Sequence, residues 1–185
     1  MRLFVSVDLD GFEDEIEAVQ EPIANRPGIS PVDPTQVHVT IKFLGDEPGG
    51  GHDFDALDDA LTAAVEAADT GPFELSLRGL GAFPSAEYIR VIWLGVDEGS
   101  DELRRLHETV EERTTDLGYE PERHEFTPHV TLARMNHGAA KEAVTKFVRD
   151  GTVDVGRRRI EELRLTESEL TDEGPVYRTV ERYPL

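Results

Sequence analysis

The chain has 185 residues, of which 39 are Asp or Glu and 19 are Lys or Arg, so its formal net charge at pH 7 is −20. Its hydrophobic content of 38% predicts a folded globular protein rather than a disordered chain. The absence of cysteine excludes disulfide frameworks, thiolate nucleophiles and Cys-ligated metal centres. The acidity argues against a nucleic-acid ligand, because association with a polyanion depends on basic surface.

No apolar run approaches the ~20 residues of a membrane span. We therefore expect a cytoplasmic protein that does not contact membranes. The composition is acidic and poor in lysine, which occurs only at positions 42, 141 and 146. Such a composition is typical of proteins from salt-loving organisms, and it predicts activity that rises in molar salt.

Hydrophobic periodicity predicts strands and helices that alternate along the chain. In the first half we predict, in order, a strand at Leu3–Leu9, a helix at Glu13–Ala24, a strand at Val37–Leu44, a helix at Phe54–Ala68, and strands at Phe73–Leu80 and Tyr88–Val96 joined by a loop with Pro84. In the second half we predict helices at Leu103–Leu117 and Ala139–Val148 and strands at His129–Ala133, Thr152–Val155, Ile160–Thr166 and Val176–Tyr183. This order favours an α+β or α/β domain.

Two segments of the sequence share one pattern: His38-Val39-Thr40-Ile41 and, 91 positions later, His129-Val130-Thr131-Leu132. On a strand, each segment places its His and Thr on one face and its two apolar residues on the other. Two such strands facing each other would bring two imidazoles and two hydroxyls around one point. That set suits displacement at phosphorus, in which one His takes a proton from water and the other protonates the leaving oxygen. Hydroxyls would hold the non-bridging oxygens, and the scheme requires no metal.

Each motif alone also has an ordinary interpretation, since Thr favours strands and a strand His is usually hydrogen-bonded or solvated. A zinc site is a second alternative, because His124 and His129 lie five positions apart. The segment between them contains Pro128, is not predicted to be helical and has no carboxylates at a recognisable spacing, so we predict no metal. The remaining histidines, His52, His107 and His137, are predicted to be solvated.

The motifs and their flanks resemble the 2H phosphoesterase superfamily, in particular its RNA 2′,3′-cyclic phosphodiesterase branch, also called 2′-5′ RNA ligase. The similar segments cover nearly the whole chain: 2–5, 38–45, 81–84, 90–95, 126–134 and the ending from 167–168 to 183–185. The resemblance implies an α+β, bilobal, pseudo-two-fold fold with two antiparallel-sheet lobes, helices outside and a central cleft. It also implies a single domain over residues 1–185, made of two interleaved lobes that contribute one motif each.

The resemblance further implies hydrolysis of a terminal 2′,3′-cyclic phosphate to a 2′-phosphomonoester without a cofactor. His38 and His129 would be the catalytic pair, and family precedent makes His38 the acid and His129 the base, although the spacing of the residues leaves the two roles open. Thr40 and Thr131 would bind the phosphate. The expected substrates are RNA ends or small nucleotides that carry the cyclic phosphate, and a monomer without an obligate protein partner is expected.

Two basic residues near the motifs are further candidates for binding phosphate. Arg134 matches the family's Arg after the second motif and could clamp phosphate oxygens. In an uninterrupted strand, Arg134 would point to the face opposite His129. A bulge or the end of the strand must therefore turn it to the face of His129. Lys42 shares the parity of His38, and it is either a phosphate ligand or a solvated lysine at the strand end.

Four alternatives stay open at this point. The same site could ligate RNA ends in the reverse direction, or it could bind a nucleotide without turnover. Phe4 and Phe43 could stack on a base, although core packing is the simpler role for both and for Trp93. The basic triplet at 157–159 is predicted as a surface turn, with guidance of the RNA backbone as the alternative.

The acidic residues concentrate away from the motifs. Segment 8–21 contains seven acidic residues and segment 46–74 contains nine, and neither contains a Lys or Arg. In contrast, Lys42 is the only charged residue of segment 36–45 and Arg134 is the only one of segment 127–135. The sequence therefore predicts an acidic shell around a small neutral-to-basic cleft.

Overall fold

The computed structural model describes residues 2–46, 53–172 and 174–185. His52, which was predicted to be solvated, lies outside the described residues. The helices are α1 (Glu13–Ala24), α2 (Phe54–Ala68), α3 (Ser100–Asp116) and α4 (Lys141–Asp150). The strands are β1 (Arg2–Asp8), β2 (Ile29–Pro31), β3 (His38–Asp46), β4 (Phe73–Pro84), β5 (Ile89–Val96), β6 (His129–Met135), β7 (Asp154–Ile160), β8 (Glu162–Thr171) and β9 (Gly174–Pro184). Short 3₁₀ turns lie at Pro34–Gln36 and Gly138–Ala140.

The predicted helices are all present, and α1 and α2 have the predicted bounds. Pro84 is the last residue of β4 rather than part of a loop. The strand β2 was not predicted, because three residues that end in proline show no periodicity. The strands predicted at 152–155 and 160–166 are longer in the structure and are separated by a single residue.

The sheet has two halves that meet at the motif strands. Its order is β7-β4-β5-β6-β3-β1-β8-β9, and each pairing described between its strands is antiparallel. The strands β4 to β7 form one half, and strands from both ends of the chain form the other. The halves join where β3 pairs with β6 through Val39 and Val130. The predicted α+β class with antiparallel sheet in both halves is confirmed.

The apolar residues of the motifs anchor the two strands in the main core. Val39 and Val130 are fully buried there, together with residues of α2 and α3 such as Leu61 and Leu106. Complete burial of an aliphatic side chain contributes roughly 1.5–3 kcal/mol. The opposite face of β3 and β6, which carries the His and Thr side chains, is only partly buried. In the part of the chain that the structure describes, none of the helices is long and apolar enough to cross a membrane.

Candidate active site

Both motifs lie on one face of the sheet, on either side of the point where its halves join. Because Val39 and Val130 are paired in antiparallel register, the alternation along each strand turns His38 and Thr40, and likewise His129 and Thr131, to the face opposite the core. His38 and His129 begin β3 and β6, respectively. The fold therefore brings together two imidazoles and two hydroxyls from positions 91 residues apart.

The ring of His38 is fixed by a backbone carbonyl and by two aromatic rings. Its Nδ1 lies 2.9 Å from the Gln36 carbonyl oxygen, and because that oxygen only accepts, Nδ1 carries the proton. The ring centroid lies 4.9 Å from that of Phe4 and 5.1 Å from that of Tyr177, whose ring is edge-on. With Nδ1 bonded to the main chain, Nε2 is left for proton transfer.

His129 has the same arrangement in the other half of the sheet. Its Nδ1 donates to the Thr127 carbonyl at 2.6 Å. The ring of Phe83 lies edge-on with its centroid 4.9 Å away, and that of Trp93 lies at 5.9 Å. In both motifs the accepting carbonyl belongs to the residue two positions before the His, so the repeat preserves the tautomer as well as the residue type.

Burial lowers the pKa of both imidazoles from the ordinary value of 6.5. In each case the bond to the backbone carbonyl opposes the effect of burial. For His38, the carboxylate of Asp8 also raises the pKa, whereas the charges of His129 and Arg134 lower it. The effect of His129 on His38 indicates that the two imidazoles lie within electrostatic reach of each other.

A β-bulge in β3 separates Lys42 from the motif residues. Thr40 and Lys42 pair with consecutive residues of β1, so Ile41 is an extra residue that reverses the alternation after it. Lys42 therefore turns toward α3, where it is 1% exposed and its ammonium group donates to the Glu111 carboxylate and to the Glu120 carbonyl. The prediction that Lys42 binds phosphate is wrong, as is the alternative that it is solvated.

The matching bulge in β6 has the opposite consequence for Arg134. Thr131 and Ala133 pair with consecutive residues of β5, so Leu132 is the extra residue. Arg134 is thereby turned to the face of His129, as its candidate role requires, and it is exposed there. Its charge lowers the pKa of His38, which indicates that the guanidinium lies within electrostatic reach of the motif in the other half.

Phe43 is the counterpart of Arg134, because each is the second residue after the bulge of its strand. The Phe43 side chain is 64% exposed, and its ring centroid lies 6.0 Å from that of Phe4. Phe4 is buried and contacts His38. Core packing was therefore the wrong expectation for Phe43 and is only part of the role of Phe4.

A partly buried cluster of polar side chains lies beside His38. Asp8 is paired directly across β1 and β3 with His38, and its carboxylate accepts from the Ser6 hydroxyl at 2.8 Å. The Ser6 hydroxyl also contacts that of Thr166 at 3.0 Å. Arg164 forms an ion pair with Asp8. Since Ser6 and Asp8 alternate with the apolar residues of β1, that alternation was the signal for a polar face, but only the register shows that the face meets His38.

Other aromatic residues of the site were not found from the sequence. Trp93, expected in the core, is half-buried and lies against Phe83, with ring centroids 5.1 Å apart. A Cβ on Gly81 would lie 2.1 Å from the Trp93 ring, so glycine at this position lets the indole lie on β4. Tyr177 reaches His38 because its backbone N–H donates to the Gln36 side chain at 3.1 Å. These contacts depend on strand register, which a single sequence does not contain.

The other histidines do not assemble a metal site in the part of the chain that is described. In residues 2–46, 53–172 and 174–185, no three His, Cys, Asp or Glu side chains are grouped so that they could hold a metal ion. His124 and His137 are exposed. His107, predicted to be solvated, instead bonds the Ile41 carbonyl at 2.8 Å and stacks on Phe126 with centroids 4.2 Å apart. It is therefore a structural residue that supports the bulge of β3.

The basic triplet lies in β7 rather than in a turn. Each of its guanidinium groups is within salt-bridge distance of carboxylates. Arg157 pairs with Glu98, Arg158 with Glu15, and Arg159 with Glu74 and Glu161. The surrounding carboxylates therefore neutralise most of the positive charge of this triplet.

A family model of the 2′-5′ RNA ligase superfamily matches residues 9–171, which include both motifs. The chain belongs to the 2′-5′ RNA ligase superfamily. This confirms the resemblance inferred from the two motifs.

Two curated relatives of this superfamily member are named RNA 2′,3′-cyclic phosphodiesterase. One, from Aeropyrum pernix, is 39% identical over 152 residues, which cover 80% of this chain and 82% of the relative. Another, from Methanothermobacter thermautotrophicus, is 32% identical over 188 residues, which cover 100% of this chain and 99% of the relative.

Solved structures of similar proteins have the same fold. A crystal structure of a Thermus thermophilus protein has a TM-score of 0.80 and 30% identity, with coverage of 100% of this chain and 98% of the other. The structure of E. coli LigT complexed with 3′-AMP has a TM-score of 0.75 and 21% identity, with coverage of 100% and 97%. These similarities agree with the bilobal α+β fold expected for the superfamily.

Proposed function

We propose that the protein hydrolyses the terminal 2′,3′-cyclic phosphate of RNA, or of a small nucleotide, to a 2′-phosphomonoester. The observation that carries this proposal is the pair of imidazoles on one face, each with Nδ1 bonded to a main-chain carbonyl and Nε2 left for proton transfer. Curated relatives from several organisms carry the name RNA 2′,3′-cyclic phosphodiesterase, which supports the same activity here.

In this reaction, water attacks phosphorus while one imidazole takes its proton at Nε2. The bond between phosphorus and the 3′ oxygen breaks, and the other imidazole protonates that oxygen. One His must therefore be neutral and the other protonated when the substrate binds. An imidazole can serve in either state near neutral pH, and burial lowers the pKa of both rings toward the acidic side of that range.

The negative charge that grows on the non-bridging oxygens needs donors that are already in place. Thr40 and Thr131 present hydroxyls on the face of the imidazoles, one from each half of the sheet. The Arg134 guanidinium offers a bidentate clamp that a hydroxyl cannot provide. We therefore assign phosphate binding to these three side chains.

The nucleotide next to the phosphate would rest on the exposed ring of Phe43. Its high exposure and its contact with Phe4 favour stacking on a base, since the ring already has support on its other side. Stacking of this kind is tolerant of sequence and contributes about 1–3 kcal/mol per base. The site would thus recognise one phosphate and one adjacent base, with the surrounding acid excluding longer contacts.

Replacing Phe43 with alanine should raise KM for a cyclic-phosphate oligonucleotide about tenfold, with a smaller change in kcat, because stacking energy of the stated size is lost. Steady-state kinetics measure both constants. Phe54→Ala is the control, because it removes an aromatic side chain that is 45% exposed but belongs to the start of α2 rather than to a motif strand. This substitution should leave KM unchanged. Equal effects of the two substitutions would exclude Phe43 as the base platform.

The activity itself is tested with an RNA oligonucleotide that ends in a 2′,3′-cyclic phosphate, incubated with and without a chelator. We expect complete conversion to the 2′-phosphomonoester in both samples, with the position of the phosphate read by chromatography against standards. A 3′-phosphomonoester would mean that the 2′ oxygen leaves. Tight binding without turnover would favour a nucleotide-binding module, and joined products at high concentrations of RNA ends would favour ligation.

A further inference from the structure

The two halves of the site differ at one pair of equivalent positions. The strand β1 flanks β3 as β5 flanks β6, and each outer strand places one residue directly opposite the motif histidine. Opposite His38 this residue is Asp8, and opposite His129 it is Gly95. Residues paired in this way on antiparallel strands point to the same face, with Cβ atoms about 4.5–5.5 Å apart. At these two paired positions, a carboxylate therefore lies beside His38 and no side chain lies beside His129.

Packing explains why a glycine, Gly95, lies opposite His129. A Cβ on Gly95 would lie 2.7 Å from the Arg78 carbonyl oxygen, a backbone atom that cannot move aside cheaply. The same Cβ would also meet the Trp93 ring at 3.5 Å. The β4 backbone thus leaves no room for an acidic side chain opposite His129, and the difference between the halves is fixed by the fold.

Two neighbouring side chains hold the Asp8 carboxylate in place. Its carboxylate accepts from the Ser6 hydroxyl and pairs with Arg164, whose side chain is 12% exposed. Arg164 also pairs with Asp10 at 2.8 Å and with Glu162 at 2.6 Å. Because Arg164 has three carboxylate partners, its single charge does not cancel Asp8, and His38 still receives the influence of the carboxylate.

The charged and titratable groups that face His38 come from three strands: Asp8 of β1, His129 and Arg134 of β6, and Tyr177 of β9. Burial raises the pKa of Tyr177, so its hydroxyl is neutral in the working range. The Gln36 carbonyl and the Asp8 carboxylate thus favour the imidazolium form of His38, against burial, a protonated His129 and Arg134, and Asp8 is the only one of these charged groups that does so. Around His129, the aromatic rings of Phe83 and Trp93 take the corresponding places.

We infer that Asp8 is a positioning residue that favours the protonated form of His38 and thereby supports the roles that the family resemblance implies, with His38 as the general acid and His129 as the general base. The inference rests on the proposed hydrolysis. His129 Nε2 takes the proton of the attacking water as the new bond between phosphorus and oxygen forms. His38 Nε2 gives its proton to the 3′ oxygen as the old bond breaks. The products are a 2′-phosphomonoester and a 3′-hydroxyl, and proton exchange with solvent restores both rings.

The test compares Asp8→Asn with wild type in the pH dependence of kcat/KM, which reports the free enzyme's acid and base. The alkaline limb belongs to the group that must be protonated. Because Asp8 raises the pKa of His38, its removal should move the alkaline limb to lower pH and leave the acidic limb in place. Asp8→Asn should therefore lower kcat/KM on the alkaline side of the profile. There the loss should reach about tenfold for each unit by which the pKa of His38 falls.

Asp10→Asn is the matched control, because it removes the same charge and another partner of Arg164 two residues away. It should leave both limbs unmoved. Movement of the acidic limb in Asp8→Asn would reverse the two roles. An unchanged profile, or the same shift in Asp10→Asn, would overturn the role of Asp8.

A second measurement separates this inference from the activity. NMR titration of the imidazole signals in the free protein should show a lower pKa for His38 in Asp8→Asn and an unchanged pKa for His129. Circular dichroism confirms that the isosteric variant is folded. If wild type shows no turnover, the proposed hydrolysis fails, whereas unchanged His38 titration in an active enzyme contradicts the inference alone.

Discussion

Replacing His38 or His129 with alanine should each lower kcat for cyclic-phosphate hydrolysis at least about 100-fold, because each substitution removes a general acid or base from the transition state. The effect on KM should be much smaller, since the hydroxyls of Thr40 and Thr131 and the Arg134 guanidinium remain. The double variant should lose little more than either single one, because the two imidazoles act as a unit. Single-turnover kinetics with an oligonucleotide substrate measure these losses.

The pH profiles of the two variants carry further information. A variant that lacks the general base should lose the acidic limb of the profile, and one that lacks the general acid should lose the alkaline limb. His137→Ala is a suitable control, since His137 is exposed and lies outside the motifs. Retention of wild-type turnover by either motif variant would remove that His from the catalytic pair. Thermal unfolding of each variant distinguishes a loss of chemistry from a loss of structure.

The two bulges explain why strand alternation predicts the placement of the motif residues but not that of Lys42. Alternation along a strand correctly places His38 and Thr40 together, since no irregularity lies between them. After Ile41 the parity reverses, and Lys42 is carried to the core side. An inserted residue leaves no mark in the residue types themselves, because a lysine after an isoleucine fits an uninterrupted strand equally well.

In β6 the corresponding bulge brings Arg134 to the face on which it was predicted to lie. Parity alone places Arg134 on the wrong face, and only the bulge at Leu132 turns it toward His129. The resemblance to a family suggested that Arg134 belonged to the site, and a bulge was the geometric condition. Phe43 and Arg134 occupy equivalent positions because β3 and β6 each contain a bulge. The sequence does not reveal the bulges, so it could not show this equivalence.

Residues that meet the motifs across strands were beyond sequence reasoning for a different reason. Asp8 and Tyr177 reach His38 through the pairing of β1 with β3 and through the bond between the Tyr177 N–H and the Gln36 side chain. Those contacts join positions that are far apart in the chain. Helices, in contrast, depend on local periodicity, which is why α1 and α2 were predicted with their observed bounds.

The second large effect is expected on stability. Glu111→Ala should lower the free energy of unfolding by about 2–3 kcal/mol, because it leaves the Lys42 ammonium, which is fully buried, without its carboxylate partner. The loss should be smaller than for a fully enclosed ion pair, since the Glu111 side chain is 23% exposed and the Glu120 carbonyl still accepts from Lys42. Urea unfolding at neutral pH measures the difference. Glu112→Ala, an exposed neighbour on α3, should change stability by less than about 0.5 kcal/mol.

The pH dependence of this difference tests the ion pair itself. Burial alone would raise the pKa of Glu111, but the bonds from Lys42 and from the Glu122 N–H outweigh it and lower the pKa below 4.5. A carboxylate whose pKa is lowered in the folded state contributes its full stability above the unfolded value and loses it as the pH falls through the folded value. The gap between wild type and Glu111→Ala should therefore be constant above about pH 5 and shrink in more acidic solution.

Replacing both partners, as in Lys42→Met with Glu111→Leu, should recover most of the stability, since two apolar side chains need no charge partner. The same double variant separates stability from function. Lys42 and Glu111 connect α3 to the residue after the β3 bulge, so the loss of their ion pair should displace Phe43 and raise KM even where stability returns. If Glu111→Ala is no less stable than Glu112→Ala, the buried pair does not hold this bulge in place.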